Sequence, residues 1–177
     1  MLAYLFLVIA VAVRFMPHPW TFTPVVAALL FFGARGSKRT LWFPFAMLVA
    51  SDIILTKFVY AYHFSWDQLV VWAWYAAIIW LGTALRDRQR PLPVIAAALT
   101  SSVSFFVLSN FAVWASSTGL YPKTMEGLVS CFAAAVPFFR SALEGDLLFT
   151  TVFFATPVVL HFLSGIPDHT GDNSAAA

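Results

Sequence analysis

Three polar side chains interrupt segments of this chain that are otherwise apolar, and their chemistry suits ligand binding. Asp52 lies eleven residues after Leu41, and Asn110 lies seventeen residues after Pro93. Because a helix rises about 1.5 Å per residue, both fall far from the start of their segments. Asp146 stands at the start of the last apolar segment. A carboxylate at membrane depth is costly, so it should face a protein partner, water or a ligand.

Each of these three residues also has a purely structural interpretation. In the functional interpretation, Asp52 contacts a ligand or an ion. In the structural one, it forms an interhelical hydrogen bond or a pair with Lys57. Asn110 shares a helix face with Trp114 at i+4. That pair suits a planar polar ligand, or an anchor at the lipid–water interface. For Asp146, the positive end of a helix dipole is a sufficient explanation.

Aromatic residues accompany these polar groups at the same predicted level of the membrane. Interfacial Trp and Tyr are typical of any membrane protein, but a group of them at one rim can also stack on a ligand. Trp72 and Trp74, within the fourth segment, are expected to face lipid or to pack. No catalytic residue, metal ligand or cofactor is expected. The predicted ligand-binding residues are Phe22, Asp52, Trp66, Asn110, Trp114, Tyr121 and Asp146.

The composition predicts a membrane protein. Of the 177 residues, 61% are hydrophobic and 10% are charged, with a mean hydropathy of +0.84. A typical soluble domain is about 45–50% apolar and about 25% charged. The net charge of +2 lies mainly in loops, so no basic face suited to nucleic acid is expected. Lipid is therefore the predicted solvent of most of the surface.

Two short loops carry six of the ten Lys and Arg residues, at 35–39 and at 86–90. Cytoplasmic loops of membrane proteins collect such charge. Lys57, Lys123 and Arg140 depart from the bias, and Arg14 lies near the outer end of the first segment, so the preference is one of six against four. With both basic loops inside, both termini are cytoplasmic and the three polar residues lie mostly toward the outer side.

The predicted fold is an all-α membrane protein with about six transmembrane helices, the first two of them short. Those two need shelter from neighbouring helices, unless the second is re-entrant. Residues 124–139 predict a separate helix on the outer surface that Pro137 ends, and if it spans, there are seven spans. Residues 1–166 form a single domain, and 167–177 a disordered cytoplasmic tail. The predicted spans are 2–16, 23–34, 41–60, 66–85, 93–116 and 145–164.

Small residues at a spacing of four predict where helices approach each other. Ala46 with Ala50, and Ala73 with Ala77, form such pairs. Pairs of this kind let helix backbones come close in a membrane.

Several stretches of the chain resemble an uncharacterised family of small bacterial membrane proteins. They are 17–24, 51–52, 110–114, 121–128, 137–139 and 145–146, and the likeness covers most of the chain. The resemblance implies a multi-pass protein of the bacterial inner membrane. It implies no activity, because the family has none established.

The six-helix plan with both ends inside is more distantly similar to the substrate-binding S component of energy-coupling-factor transporters. That likeness implies capture of a vitamin-like or metal substrate from outside and an energy-coupling module as partner. S components usually dock through an Ala-x-x-x-Ala pattern on their first helix. Here Ala3, Ala10 and Ala12 do not form one, so the likeness does not extend to docking.

Two functional hypotheses follow. The first is uptake of a small molecule through an outward-facing pocket, with the connection from Tyr121 to Arg140 as a lid. The second is an accessory or structural subunit of a larger membrane complex. An intramembrane enzyme is not expected, because the chain has no HExxH or GxSxG motif and Cys131 has no activating base nearby.

Overall fold

The computed structural model describes residues 1–16, 22–61, 64–116 and 120–165, and all regular structure within them is helical. The predicted tail at 167–177 lies outside the described residues. A 3-10 turn, Lys38–Thr40, precedes the third helix, and a π-helical turn, Leu55–Val59, continues it. The α-helices are α1 (Leu2–Val13), α2 (Val25–Arg35), α3 (Trp42–Ile54), α4 (Asp67–Thr83), α5 (Pro91–Ala115) and α6 (Met125–Ser164).

Among the residues that the structure describes, three helical stretches are long and apolar enough to cross a membrane, which agrees with the predicted membrane protein. They are Lys38–Val59, Pro91–Ala115 and Met125–Ser164. The other three helices have 12, 11 and 17 residues, whereas a hydrocarbon core needs about 20. That α1, α2 and α4 also span the membrane, which would give six spans, therefore remains a prediction.

The shortest helix, α2, forms the centre of the bundle. Its sequence is apolar on every face, and all residues from Val25 to Ala34 are buried. It packs against α1, α4, α5 and α6. A helix that is apolar all round is stable when other helices surround it. The expectation that neighbours shelter the second segment is confirmed.

Two glycines allow α2 and α4 to cross in backbone contact. A Cβ on Gly33 would lie 2.3 Å from the carbonyl oxygen of Ile79 and 2.8 Å from the Cα of Gly82. A Cβ on Gly82 would lie 2.6 Å from the carbonyl oxygen of Leu30. The predicted alanine pairs do not make this contact, since all four alanines are exposed.

The outer surface of α5 is apolar, as expected for a helix in contact with lipid. Leu92, Ile95, Leu99, Val103 and Val107 are all exposed. Their spacing of three or four residues places them on one face of the helix. The buried side of α5 carries small and polar residues instead, which is the inverse of a soluble helix.

Both basic loops lie at the same end of the bundle. Arg86, after α4, donates from Nε to the carbonyl oxygen of Gly33 at 3.0 Å and from Nη2 to that of Gly36 at 2.9 Å. The Tyr4 hydroxyl is 2.8 Å from Oγ1 of Thr40, so the start of α1 lies at this end too. The structure thus groups the cationic loops at one end of the bundle, as the charge bias predicts.

This grouping predicts the labelling of single cysteines from the two sides of the membrane. In a Cys131→Ala background, Ser37→Cys and Asp87→Cys should react alike with a membrane-impermeant maleimide. The positive-inside bias further predicts that they react only in opened cells. Glu126→Cys, near the start of α6, should react in intact cells. All three positions are exposed. Labelling of Ser37→Cys and Asp87→Cys from opposite sides would contradict the arrangement.

The prediction of a separate outer helix before the last segment is wrong. Met125–Ser164 is one helix of 40 residues with Pro137 and Pro157 inside it. Proline removes one backbone donor, but helices in an apolar environment tolerate that loss better than soluble ones. At about 1.5 Å per residue α6 is about 60 Å long, twice a hydrocarbon core of about 30 Å.

Candidate functional site

Asp52 is held by three side chains from two other helical segments. Arg14, immediately after α1, forms an ion pair with its carboxylate and donates from Nη1 to Ser51 Oγ at 2.7 Å. From α4, Trp72 donates its indole N–H to Oδ2 at 2.9 Å, and Tyr75 donates its hydroxyl to Oδ1 at 3.4 Å. These contacts join α1 and α4 to the last turn of α3.

Of the structural alternatives for Asp52, the interhelical hydrogen bond is confirmed and the pair with Lys57 is wrong. Lys57 is exposed on the π-helical turn, five residues beyond Asp52. Arg14, which is distant from Asp52 in sequence, is the cation that pairs with it. A buried carboxylate with a cation and two further donors is well satisfied.

Asp146 is bound differently. It lies in the middle of α6 and not at a helix start. The prediction that it stabilises the positive end of a helix dipole is therefore wrong. Its side chain is buried, and its Oδ2 accepts a hydrogen bond from Ser102 Oγ on α5 at 2.6 Å. Among the described residues, it forms no ion pair. Asp146 therefore lies in the bundle without a cation beside it.

Asn110 lies on α5 two turns beyond Ser102. Its side-chain Nδ2 donates to the backbone carbonyl of Phe106 at 2.7 Å, and its backbone carbonyl accepts from Cys131 Sγ at 3.4 Å. The side-chain oxygen of Asn110 accepts no hydrogen bond from the described residues. It remains available to a donor on a ligand.

A cavity of about 480 Å³ brings all three polar residues together. Asp52, Asn110 and Asp146 line it from α3, α5 and α6. The rest of the lining includes the start of α2, the π-helical turn and the middle of α4, away from the basic loops. The volume falls within the range of about 300–1,000 Å³ typical of ligand sites. Its aromatic lining residues are Tyr60, Trp74, Tyr75, Phe105, Phe106, Phe138 and Phe139.

The four predicted aromatic residues lie outside this lining. Phe22 packs on Phe149, with ring centroids 5.3 Å apart, beside the turn of α6 that bears Asp146. Trp66 is exposed at the start of α4. Trp114 donates to the carbonyl of Pro122 at the junction of α5 and α6, and Tyr121 is half-buried there.

The cavity wall instead contains aromatic residues from the interior of the helices. Trp74, expected to face lipid or to pack, is buried and donates its indole N–H to Ser104 Oγ at 3.0 Å. Phe106 lies one turn before Asn110, so its position on the same helix face was a usable signal. For Phe138 and Phe139, the predicted break at Pro137 concealed that they continue the helix bearing Asp146.

The chemistry of the lining suits noncovalent binding. Polar groups at three points can orient a ligand, and seven rings can enclose it. Within the described ranges, no group of three or more His, Cys, Asp or Glu side chains could hold a metal ion. A metal substrate has no such cluster to bind it there.

Comparison with known proteins gives a family and no function. No curated protein and no solved structure shows significant similarity to the chain. Residues 1–164 match a family of unknown function, DUF6580. That match includes the cavity and every helix of the bundle, and the chain therefore belongs to this family of unknown function.

Proposed function

We propose that this protein binds a small molecule in the cavity between α2, α3, α4, α5 and α6 as a step in its uptake. The observation that carries the proposal is the convergence of Asp52, Asn110 and Asp146 on one cavity with aromatic walls. A few placed polar groups in an otherwise apolar pocket are the usual construction of a ligand site. No covalent step is part of the proposal.

The cavity would face away from the cytoplasm. It lies at the end of the bundle opposite the two basic loops, and such loops favour the cytoplasmic side. We propose six spans with both termini inside, in the bacterial inner membrane. α1, α2 and α4 would then span only with the shelter of their neighbours. The first part of α6, which supplies Ala135, Phe138 and Phe139 to the cavity wall, would act as the lid.

We further propose a plan like that of S components, which would assign a role in uptake with an energy-coupling module as a candidate partner. The surface used would differ from the usual one. Ala3 and Ala10 of α1 are buried in a cluster with α2 and Phe153 of α6. They are thus occupied within the bundle and cannot be the docking stripe.

Filling the cavity tests the binding proposal. Native mass spectrometry of the gently purified wild-type protein should show a co-purified small molecule. Ala135→Phe, on the cavity wall, should abolish that signal because the new ring occupies the ligand's space. Ala134→Phe is the matched control, since Ala134 is exposed on the same helix. Equal retention of the molecule in both variants would refute binding in this cavity.

An accessory subunit of a larger membrane complex is the second candidate. It is favoured by the end of α6, where every residue from 158 to 164 is exposed. Val158 and Phe162 there have 66% and 74% of their surface accessible. A partner helix could cover this apolar end. Isolation of the chain only together with other subunits, and without a small molecule, would favour this candidate.

A further inference from the structure

The cavity contains a carboxyl group without a cationic partner among the described residues. Its charged lining residues are Arg14, Asp52 and Asp146. Arg14 and Asp52 neutralise each other as an ion pair, whereas Asp146 has only the Ser102 hydroxyl. When Asp146 is ionised, the described lining has a net charge of −1. A buried carboxylate without a cation is costly, so a positively charged ligand would be favoured there.

Other cations of the described chain do not line the cavity. Arg140 is exposed and pairs with Glu144 at 3.1 Å, also on α6. Lys57 is exposed. Lys123 donates to backbone carbonyls of Trp114 and Ser116 at the junction of α5 and α6. Within the described ranges, the space for a counter-ion to Asp146 is therefore left to a ligand.

The aromatic lining suits an organic cation. The faces of Trp, Tyr and Phe rings attract an ammonium group placed within about 6 Å, and several rings together recognise quaternary amines. Two of the seven rings, Phe138 and Phe139, come from α6 itself, about two turns before Asp146. Two more, Phe105 and Phe106, follow Ser102 on α5 by about one turn.

An inorganic cation fits this lining poorly. Calcium takes six to eight oxygen ligands, and magnesium demands six in octahedral geometry. In the part of the lining that the structure describes, Asp146 is the one carboxylate that is not already paired. Most of the remaining lining consists of rings and aliphatic side chains, which give no strong metal ligand.

We propose that the cavity binds a small organic cation, a protonated or quaternary amine, with Asp146 as its counter-ion and the rings as its enclosure. This proposal rests on the proposed function and adds the class of ligand. Asp52 would then shape the site through Arg14, and Asp146 would contact the charge.

Charge selectivity of the wild-type protein provides the first test. Benzyltrimethylammonium, benzyl alcohol and benzenesulfonate are titrated calorimetrically into protein in nanodiscs of neutral lipid. The cation should bind at least tenfold more tightly than the neutral and anionic probes. Equal affinity for the cationic and neutral probes would overturn the ligand class while leaving the cavity a binding site. Binding of no probe, with no co-purified molecule, would instead overturn the proposed function.

Removal of the carboxylate provides the second test. Asp146→Asn keeps the shape and should weaken the binding of benzyltrimethylammonium at least tenfold, with little change for benzyl alcohol. Glu144→Gln removes the same charge from an exposed site on the same helix and should leave both affinities unchanged. An equal loss in the two variants would overturn the role of Asp146. If Asp146→Asn does not fold, the charge selectivity of the wild-type protein decides alone.

Discussion

Replacing Asp52 by leucine should lower the free energy of unfolding by about 3–5 kcal/mol, the range found when one partner of a buried ion pair is removed. The variant leaves the guanidinium of Arg14 inside the bundle without its carboxylate. It also removes the acceptor of the Trp72 indole and of the Tyr75 hydroxyl. Denaturant or thermal unfolding of the purified protein, followed by circular dichroism, measures the loss.

A double variant separates the cost of an unpaired charge from the loss of packing. Arg14→Met combined with Asp52→Leu removes both charges and should be more stable than Asp52→Leu alone, because no buried charge is left unpaired. Lys57→Met is the control, since this exposed residue has no part in the network, and its effect should be within about 0.5 kcal/mol. A double variant no more stable than the single one would show that the ion pair is not the origin of the effect.

Adding one methyl group at Gly33 should destabilise the protein although alanine is the better helix former. In an ordinary helix interior, Gly→Ala gains about 1 kcal/mol. Here the new Cβ meets the carbonyl oxygen of Ile79 at 2.3 Å, and this is a backbone atom that cannot rotate away. Overpacking costs about 1–3 kcal/mol, and occasionally more. Thermal unfolding of Gly33→Ala against wild type measures the balance.

Gly82→Ala and Gly165→Ala complete that comparison. Gly82→Ala should resemble Gly33→Ala, and the two together should cost less than their sum because both separate the same pair of helices. Gly165→Ala meets its nearest atom at 3.6 Å, so it should leave stability almost unchanged. Equal stability of all three single variants would contradict the close crossing of α2 and α4.

The sequence was informative about the elements and less so about their ends. Apolar runs located α1 to α5 and the second half of α6, because a segment surrounded by lipid or by other helices must be apolar along its length. Pro137 misled the prediction of α6, since proline ends a helix less reliably in a membrane, where neighbouring helices and local adjustments satisfy the freed backbone groups. The alanine pairs misled in another way. The spacing of small residues identifies a helix contact only when it is known which face of the helix is buried. The alanine pairs lie on exposed faces, whereas Gly33 and Gly82 form the contact between α2 and α4.

The polar residues of the candidate site were more predictable than its walls. Asp52, Asn110 and Asp146 were identifiable because a polar side chain in an apolar segment is costly and therefore needs a partner. Their aromatic neighbours were not, since a membrane protein contains many rings and only three-dimensional packing selects among them. The partner of Asp52 was also hidden. Arg14 is 38 residues away in sequence, and only the packing of α1 against α3 brings them together.

The central position of α2 has a consequence for biogenesis. At eleven residues, it is about 16 Å long, roughly half of a hydrocarbon core. Its partners α4 and α6 leave the ribosome after it does. The helix therefore cannot reach its final surroundings until those two helices have been synthesised. Burial of α2 is completed only when α6 has been synthesised. A truncation after α5 should therefore destabilise the whole bundle and not only its last helix.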